Sequence, residues 1–440
     1  NWTAVPYYDD YYAIWDTYRT SSPLITLLTP QRQRDIVNSL INIYDNEGYM
    51  PDARSGNCNG RTQGGSNADI VIADAFAKGL SGIDYEHAFK AMIKDAEVAP
   101  ADAEKEGRGG IAEYNSLGYI PYGIDRAGNR TVEYSYDDWC IAQVAKGLGH
   151  NALYAKYLKR SGNWHNLWRS DYQWQGMRGF IMPRDADGNW LDSVVWGKSK
   201  VYHPLVPYTP GAKVAPWYIP WWGTFFYEAL SAEYSLSIPH DVNGLIQACG
   251  GKTQFIKRLD TFFDNNHYNV ANEPSFMTPY LYHWADRPDL SSERIRQIVK
   301  DNYSDRPDGL PGNDDSGAMS SWLVWNMLGL YPVAGQNLYL VGSPLIKSYS
   351  IELPNGRILK VDAKCCRWNA KFITHADILK GGTLHLPIHN VVAKSPKVKE
   401  TESKRAFEIS PNATTHLCRF ILNRQYRNWI VKCDLSDSDT

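Results

Sequence analysis

Apolar side chains recur at the spacing of an α-helix through most of the first 330 or so residues. Examples are Ile36, Leu40, Ile41 and Tyr44; Phe89, Met92 and Ile93; and Ile295, Ile298 and Val299. Residues three or four positions apart lie on one face of a helix, so each run predicts a helix whose apolar face is buried. Long stretches rich in Gly, Pro, Asn and aromatic residues separate these runs, at 57–67, 119–129 and 203–222. This pattern indicates a helical toroid whose functional site is built from loops at one rim.

After about Gly335 the pattern changes to short alternating runs of apolar and polar residues, at 338–341, 347–353 and 358–363. Alternation with a period of two predicts strands, so we expect a small β region here. From about residue 390 the chain is Lys-rich without clear periodicity, and we expect this tail to be partly disordered.

The expected organisation has three parts. They are a helical domain at 1–335, a small β region at 336–390 and a divergent tail at 391–440.

The balance of charges argues against a nucleic-acid partner. Lys and Arg number 46 and Asp and Glu 48, so the chain carries no net field that would attract a polyanion. No stretch approaches the roughly 18 consecutive apolar residues of a membrane span. The first ten residues lack the pattern of a signal peptide, so we expect the chain to begin inside a longer precursor or to have been trimmed.

Four Asn-x-Ser/Thr triplets are potential N-glycan acceptors if the protein passes through a secretory compartment. They begin at Asn1, Asn129, Asn302 and Asn412. The seven cysteines form no C-x-x-C pair and no spacing suited to zinc, so they predict neither a disulfide framework nor a structural metal.

The segment at 308–322 (DGLPGNDDSGAMSSW) places Asp314 and Asp315 among glycines, just before a predicted helix. Glycines permit positive φ and close approach of a ligand, and a carboxylate is stabilised near a helix N-terminus. The two acids are therefore candidates for chemistry at a pocket rim. The alternative is that they do no more than cap the helix.

The segment at 226–244 (FYEALSAEYSLSIPHDVNG) carries Glu228, Glu233, His240 and Asp241 among aromatic and apolar residues. An apolar setting raises the pKa of a carboxyl group, which is what a general acid needs. On a helix, Glu228 and Glu233 could equally be surface acids in contact with water.

The segment at 269–284 places Asn272 and Glu273 directly before a proline. Amide and carboxylate oxygens in a turn are the ligands that a hard cation such as calcium prefers. The spacing alone is a weak signal, because calcium sites built from separate loops have no reliable local pattern.

These segments resemble glycoside hydrolase family 92, in family order over about 8–384. Further matching stretches lie at 11–28 (YYAIWDTYRTSSPLITLL), 64–79 (GGSNADIVIADAFAKG), 134–149 (YSYDDWCIAQVAKGLG) and 373–384 (ITHADILKGGTL). The resemblance implies an (α/α)6-type helical toroid and a secreted, calcium-dependent exo-α-mannosidase that inverts the anomeric configuration. Its expected substrates are terminal α-mannosides of N-glycans or mannans.

The resemblance also implies roles for individual residues. Glu228 matches the general acid, and Asp315 matches the acid that activates water as general base, with Asp314 beside it. Asn272 and Glu273 match the segment that lines the calcium site.

Other residues match segments that line the family's sugar pocket, with core packing and helix capping as the alternative. They are Trp15, Asp16, Asp137 and Asp138. His267 is a candidate contact for the leaving-group sugar.

The sequence also departs from the family pattern. Ala229, Leu230, Ala232, Asn313 and Ala318 stand where relatives commonly carry other residues. The segment at 365–368 and the chain after about 384 no longer resemble the family, and no stretch matches its N-terminal β-sandwich.

Two alternative functions stay open at this point. One is a hydrolase that uncaps mannosyl phosphate, which would need a strong general acid less. The other is a non-catalytic mannose-binding remnant.

Overall fold

The computed structural model describes residues 13–54, 63–191, 225–364 and 370–388, and the backbone of four short strands at 194–196, 200–202, 417–420 and 429–433. The helices of the first half are α1 (Ile14–Thr17), α2 (Ser21–Leu28), α3 (Pro30–Glu47), α4 (Ala68–Ala77), α5 (Tyr85–Glu97), α6 (Ile111–Leu117), α7 (Ala127–Leu148) and α8 (Asn151–Arg160). Those of the second half are α9 (Ser231–Tyr234), α10 (Val242–Ala248), α11 (Lys252–Asp264), α12 (Pro288–Asn302), α13 (Ala318–Leu328) and α14 (His375–Leu379). Short 3₁₀ helices are η1 (Asn163–Leu167), η2 (Glu273–Ser275) and η3 (Thr278–His283).

Helix α3 shows why the periodic runs fold as predicted. Pro30 occupies its first turn, where a missing N–H costs nothing, and Gly48 ends it in the left-handed conformation at φ 91°. Val37 and Leu40 on its apolar face are buried. The runs in α5 and α12 behave in the same way, so the predicted helical part is confirmed.

Helix α7 is the central element of the helical part, where it packs against α4, α5 and α8. Its side chains are buried on every face, although many of them are polar or charged. A buried polar group is costly without a partner, so the side chains of α7 need an extended set of hydrogen bonds. Some of these bonds reach the candidate site.

The predicted C-terminal β region is also confirmed. Its strands are β5 (Leu330–Pro332), β6 (Tyr339–Val341), β7 (Ser348–Glu352), β8 (Ile358–Lys364), β9 (Phe372–Ile373) and β10 (Gly382–Pro387). One sheet has the order β5-β6-β9, and another contains an antiparallel β7–β8 pair with β10 parallel to β8. In the tail, β11 (Leu417–Phe420) and β12 (Trp429–Cys433) extend this second sheet, with β12 antiparallel to β7. The rest of the tail, for which disorder was predicted, lies outside the described residues.

In the part of the chain that the structure describes, two hairpins interrupt the helical part, and neither was predicted. In the first, β1 (Trp168–Trp174) pairs with β2 (Met177–Ile181), and Gln175 and Gly176 between them have φ 50° and 78°. Two successive positive φ values are what a tight two-residue hairpin turn needs. The second hairpin pairs β3 (Val194–Trp196) with β4 (Lys200–Tyr202).

The potential glycan acceptors differ in exposure. Asn129 lies in α7 with no exposed surface, so it is closed to modification in the folded protein. Asn302, at the end of α12, is exposed. Asn1 and Asn412 lie outside the described residues. Within the described ranges, no helix combines the length and hydropathy of a membrane span.

Candidate active site

Three carboxylates from distant parts of the chain meet at one place. Asp16 comes from α1, Glu273 from η2 and Asp315 from the turn before α13, and their oxygens lie within 4.8 Å of one another. Asp16 and Glu273 are buried, whereas Asp315 is exposed. Like charges this close repel strongly unless protons or a cation offset them, so keeping all three carboxylates ionised costs free energy.

The turn that carries Asp315 is in an unusual conformation. Asp315, Ser316 and Gly317 have successive φ values of 40°, 59° and 86°. Left-handed backbone costs energy for residues other than glycine, and such strain is concentrated at functional sites. The turn therefore holds the Asp315 carboxylate in place by a backbone conformation that costs free energy.

Asp314, next to it, has a different environment. One of its carboxylate oxygens accepts from the Ser320 N–H and the other from the Ser320 hydroxyl, both at 2.8 Å. This is how a carboxylate caps the first turn of a helix. The capping alternative thus describes what Asp314 does here, and its predicted part in the chemistry stays a prediction.

Glu273 is the most deeply enclosed member of the cluster, with no exposed surface. Among the described residues, neither of its carboxylate oxygens has a hydrogen-bond donor. Asp16 beside it can share a hydrogen bond with Glu273 only when one of the two is protonated. Burial first, and then the charge of Asp315, raise the pKa of Glu273 to about 8.

Glu228 lies close enough to Asp16, Glu273 and Asp315 for their charges to act on one another. Its backbone is also left-handed, at φ 51°. The Asn272 side-chain amide donates to the Glu228 carbonyl, which ties this segment to the loop carrying Glu273.

The electrostatics of Glu228 are those of a group that can donate a proton near neutrality. Burial raises its pKa to about 7, and the charge of Asp315 acts in the same direction. A hydrogen bond from Tyr227 and the charge of Arg126 partly oppose this rise.

Glu233, the other acid of the same segment, has a structural task. Its carboxylate accepts from the Leu230 N–H at 2.8 Å, which closes the first turn of α9. Burial raises the pKa of Glu233 to about 8 as well. A shifted pKa therefore does not distinguish the two acids, whereas their surroundings do.

Trp15, the neighbour of Asp16, packs edge-on against the Tyr227 ring with centroids 5.2 Å apart. Its indole N–H donates to Glu133 of α7 at 2.9 Å. Trp15 is itself 1% exposed and forms a packed wall behind Asp16. Its contact with a sugar stays a prediction.

Asp137 and Asp138 belong to a buried ionic network inside the helical part. Arg108 pairs with Asp69 and with Asp138, each at 2.9 Å, and Arg160 pairs with Asp138 at 2.8 Å. Asp137 accepts from the Ser66 N–H at 2.8 Å. The carboxylate oxygens of Asp138 are thus occupied by arginines, which fits the structural alternative; for Asp137 and Asp138, contact with a sugar stays a prediction.

His267 follows α11 and contacts the first hairpin. Its Nε2 lies 2.7 Å from the Gln175 side-chain oxygen, and its ring packs on Trp174 with centroids 4.8 Å apart. The side chain is 8% exposed. Its contact with a leaving-group sugar stays a prediction.

Residues 2–390 match the model of the glycosyl hydrolase family 92 catalytic domain. The chain belongs to glycosyl hydrolase family 92.

Among the relatives of this GH92 chain is an uncharacterized secreted glycosidase of Arthroderma benhamiae, which is 35% identical over an alignment 419 residues long that covers 87% of this chain and 49% of the relative. A GH92 inverting mannosidase of Bacteroides thetaiotaomicron superposes with a TM-score of 0.72 at 28% identity, covering 85% of this chain and 52% of that one. A GH92 α-mannosidase of the same bacterium, in complex with mannoimidazole, gives 0.73 at 29% identity, covering 88% and 52%.

The similarity to these structures confirms that this GH92 chain is a helical toroid with a small β region. The chain spans about half the length of the relatives it matches.

Sequence reasoning missed several neighbours of the site in this GH92 domain. Glu133, Arg126, Gln63 and Tyr234 all contact the wall formed by Trp15 and Tyr227. Glu133 comes directly before the matching stretch that begins at Tyr134, so a polar residue at a buried position of α7 was the available signal.

Proposed function

We propose that this chain is the catalytic part of a calcium-dependent exo-α-mannosidase that inverts the configuration of terminal α-mannosides. The observation that supports this proposal most is that Glu228, whose pKa burial raises to about 7, lies close enough to the cluster of Asp16, Glu273 and Asp315 for their charges to interact. A secreted relative and exposed Asn302 favour a secretory route, and N-glycans or mannans are the proposed substrates.

The residues present fit a hard divalent cation. Two of the clustered carboxylates, Asp16 and Glu273, are buried and supply the oxygen ligands that calcium prefers, and Glu273 has two buried oxygens without a donor among the described residues. Glu273 and Asp16 would hold the ion, together with the side-chain oxygen of Asn272, whose nitrogen is bound to the Glu228 carbonyl. A bound calcium would supply positive charge that holds two neighbouring hydroxyls of the sugar.

Exposure separates Asp315 from the other members of the cluster. Because Asp315 is the exposed carboxylate of the three, water can reach it, whereas the buried pair is shielded. Asp315 is therefore the proposed general base, and it takes a proton from the attacking water.

The reaction proceeds in one displacement. The water oxygen bonds to the anomeric carbon while the bond to the leaving oxygen breaks. Glu228 gives its proton to that leaving oxygen, and Asp315 receives one from the water. In inverting glycosidases the two carboxyl groups stand about 6.5–9.5 Å apart, which leaves room for the water.

The environment of Glu228 favours this function over the alternatives. A carboxyl that stays protonated up to about pH 7 is useful when the leaving group is a sugar alcohol, and much less so when it is a phosphate. A mannose-binding remnant would have no need of such a group. Release of mannose from a set of α-linked mannobioses that covers the common linkages, with the product anomer followed by NMR at early times, tests the proposal. The α-anomer as first product, or no release at all, contradicts it.

Removing calcium should abolish activity and lower the melting temperature, and adding calcium should restore both. Ligand binding stabilises a fold by about 2.7 kcal/mol at a hundred times Kd, so the shift is readily measured by scanning calorimetry. Full activity in excess EGTA, with no metal by elemental analysis, would contradict this expectation.

Glu273→Gln provides the matched control for this test. It replaces a buried carboxyl, whose pKa is raised to about 8, with an amide of the same shape that cannot ionise to bind calcium, so the metal-free variant should melt close to the metal-free wild type while losing the calcium-induced shift. A calcium-induced shift of unchanged size in this variant would place the ion elsewhere.

Tyr227→Phe should shift the alkaline limb of the pH–activity profile to higher pH. The Tyr227 hydrogen bond lowers the pKa of Glu228 by stabilising its ionised form, so its loss raises that pKa above about 7. The protonated acid is the active form, so activity is present below this pKa and declines as pH rises through it. Profiles of kcat/KM for both proteins check the direction. A limb that is unmoved, or moved to lower pH, contradicts the assignment of Glu228.

A further inference from the structure

Glu133, a buried carboxylate of α7, lies where two walls of the site meet. The first wall is Trp15, which precedes Asp16 and donates its indole N–H to Glu133 Oε1 at 2.9 Å. Arg19, which reaches back to the Trp15 carbonyl at 2.9 Å, places its guanidinium 3.9 Å from the same oxygen. Glu133 therefore fixes the ring on the residue next to a member of the acidic cluster.

The second wall is the segment that ends at Glu228. The Tyr234 hydroxyl lies 2.8 Å from the Tyr227 carbonyl and 3.3 Å from Glu133 Oε1, so it stands between the carboxylate and the residue before Glu228. The Tyr227 ring in turn packs on Trp15. Trp15, Glu133, Tyr234 and Tyr227 thus form a closed ring of contacts behind the site.

The surrounding backbone leaves Glu133 little room to move. A Cβ on Gly64 would lie 2.3 Å from both Glu133 Oε1 and Trp15 Nε1, so the chain crosses their hydrogen bond at the closest approach that glycine permits. On the other side, the Asn67 side-chain nitrogen lies 3.5 Å from Glu133 Oε2. The carboxylate is held in place from several directions.

We propose that Glu133 is a positioning residue, which sets the relative placement of Asp16 and Glu228 through Trp15 on one side and Tyr234 with Tyr227 on the other. This inference rests on the proposed function for the roles of Asp16 and Glu228. The length of the Glu133 side chain, and not its charge, gives it this role.

Two substitutions separate the effect of side-chain length from the effect of charge. Glu133→Asp keeps the charge but withdraws the oxygens by one methylene, which breaks the Trp15 hydrogen bond. Glu133→Gln keeps the length and an acceptor oxygen. The Asn67 side-chain oxygen is without a partner among the described residues, so this amide can turn over and accept from the new side-chain nitrogen. The positioning role predicts a defect in the aspartate variant and little defect in the glutamine variant.

The defect should have a particular kinetic form. Displacing catalytic groups by about 1 Å can cost on the order of 10²-fold in rate, so kcat for mannobiose should fall by about that factor in Glu133→Asp, with a smaller change in KM. An aryl mannoside with an acidic phenol depends less on Glu228 and should lose less. In Glu133→Gln both substrates should stay within about threefold of wild type.

Glu97→Asp is the matched control for loss of stability. Glu97 accepts from the Tyr157 hydroxyl at 2.6 Å and from Arg160 at 2.7 Å, in a partly buried ion pair between α5 and α8. The same shortening there should lower the melting temperature without making the rate loss depend on the leaving group. If Glu97→Asp shows that dependence as strongly as Glu133→Asp, general destabilisation explains the effect and the positioning role is rejected.

An NMR measurement tests the hydrogen bond between Trp15 and Glu133 without an activity assay. The indole N–H resonance of Trp15, assigned with Trp15→Phe, should move upfield in Glu133→Asp, where the bond is broken, and move less in Glu133→Gln, where a weaker neutral acceptor replaces the carboxylate. An unmoved resonance in both variants overturns the inference even in an active enzyme. Wild-type protein that releases no mannose overturns the proposed function instead, and the resonance shift alone would then report a structural contact.

Discussion

Replacing Asp315 with asparagine is expected to lower kcat by about 10²–10⁴-fold, the usual contribution of a general base. The amide has the shape of the carboxylate but cannot take up the proton of water. Asparagine also tolerates left-handed backbone better than most residues, so it suits φ 40° and the fold should be retained. Steady-state rates on mannobiose, with circular dichroism and melting curves of both proteins, measure the effect.

Asp314→Asn is the matched control, because it makes the same change one residue away. The Asp314 carboxylate accepts from Ser320, and an asparagine oxygen can still accept one of these bonds. We expect a loss of activity below about tenfold and a loss of stability of about 1 kcal/mol, as for other weakened caps. If Asp314→Asn instead removes most activity and Asp315→Asn removes little, the general base is Asp314.

Glu228→Gln should slow hydrolysis of mannobiose by about 10²–10⁴-fold and that of an aryl mannoside with an acidic phenol far less. A general acid matters most when the leaving oxygen is strongly basic, since it is then the group that needs the proton. For the same reason the variant should relatively favour mannosyl-phosphate substrates. The slope of log kcat/KM against leaving-group pKa, over a series of aryl mannosides, measures this dependence.

Glu233→Gln is the companion variant. Its side-chain oxygen can still accept from the Leu230 N–H, so the turn after Glu228 should persist and the leaving-group slope should equal that of wild type. A steeper slope in Glu233→Gln, with equal losses on all substrates in Glu228→Gln, would move the acid to Glu233.

The sequence predicted the helices and strands well, but it could not show which of two neighbouring acids, Glu228 or Glu233, faces the site. Glu228 and Glu233 share one apolar segment, and burial raises the pKa of both. Only the fold shows that Glu233 bonds to its own helix start while Glu228 lies near the acidic cluster. Hydrophobic periodicity cannot predict this difference, because it shows which face of an element is buried but not which residues pack against that face.

The same limit applies to residues far apart in the chain. Asp16 was predicted to line the pocket, but its place beside Glu273 and Asp315 depends on the packing of segments about 300 residues apart. The first hairpin was missed for a local reason, since its turn begins with Gln175 rather than the usual Asn, Asp or Gly.

The buried charges of α7 have a consequence for how the enzyme forms. Asp138 leaves water only if Arg108, from the loop before α6, and Arg160, from α8, arrive with it, since an unpaired buried carboxylate costs several kcal/mol. The middle of α7 is therefore buried in the same cooperative step as its neighbours. Glu133, which lies earlier in the same helix, is buried with it. The packing around α7 is thus completed only when chain segments on both sides of it have docked. A chain that ends before α8 therefore lacks Arg160 and is expected to leave the Asp138 carboxylate incompletely paired.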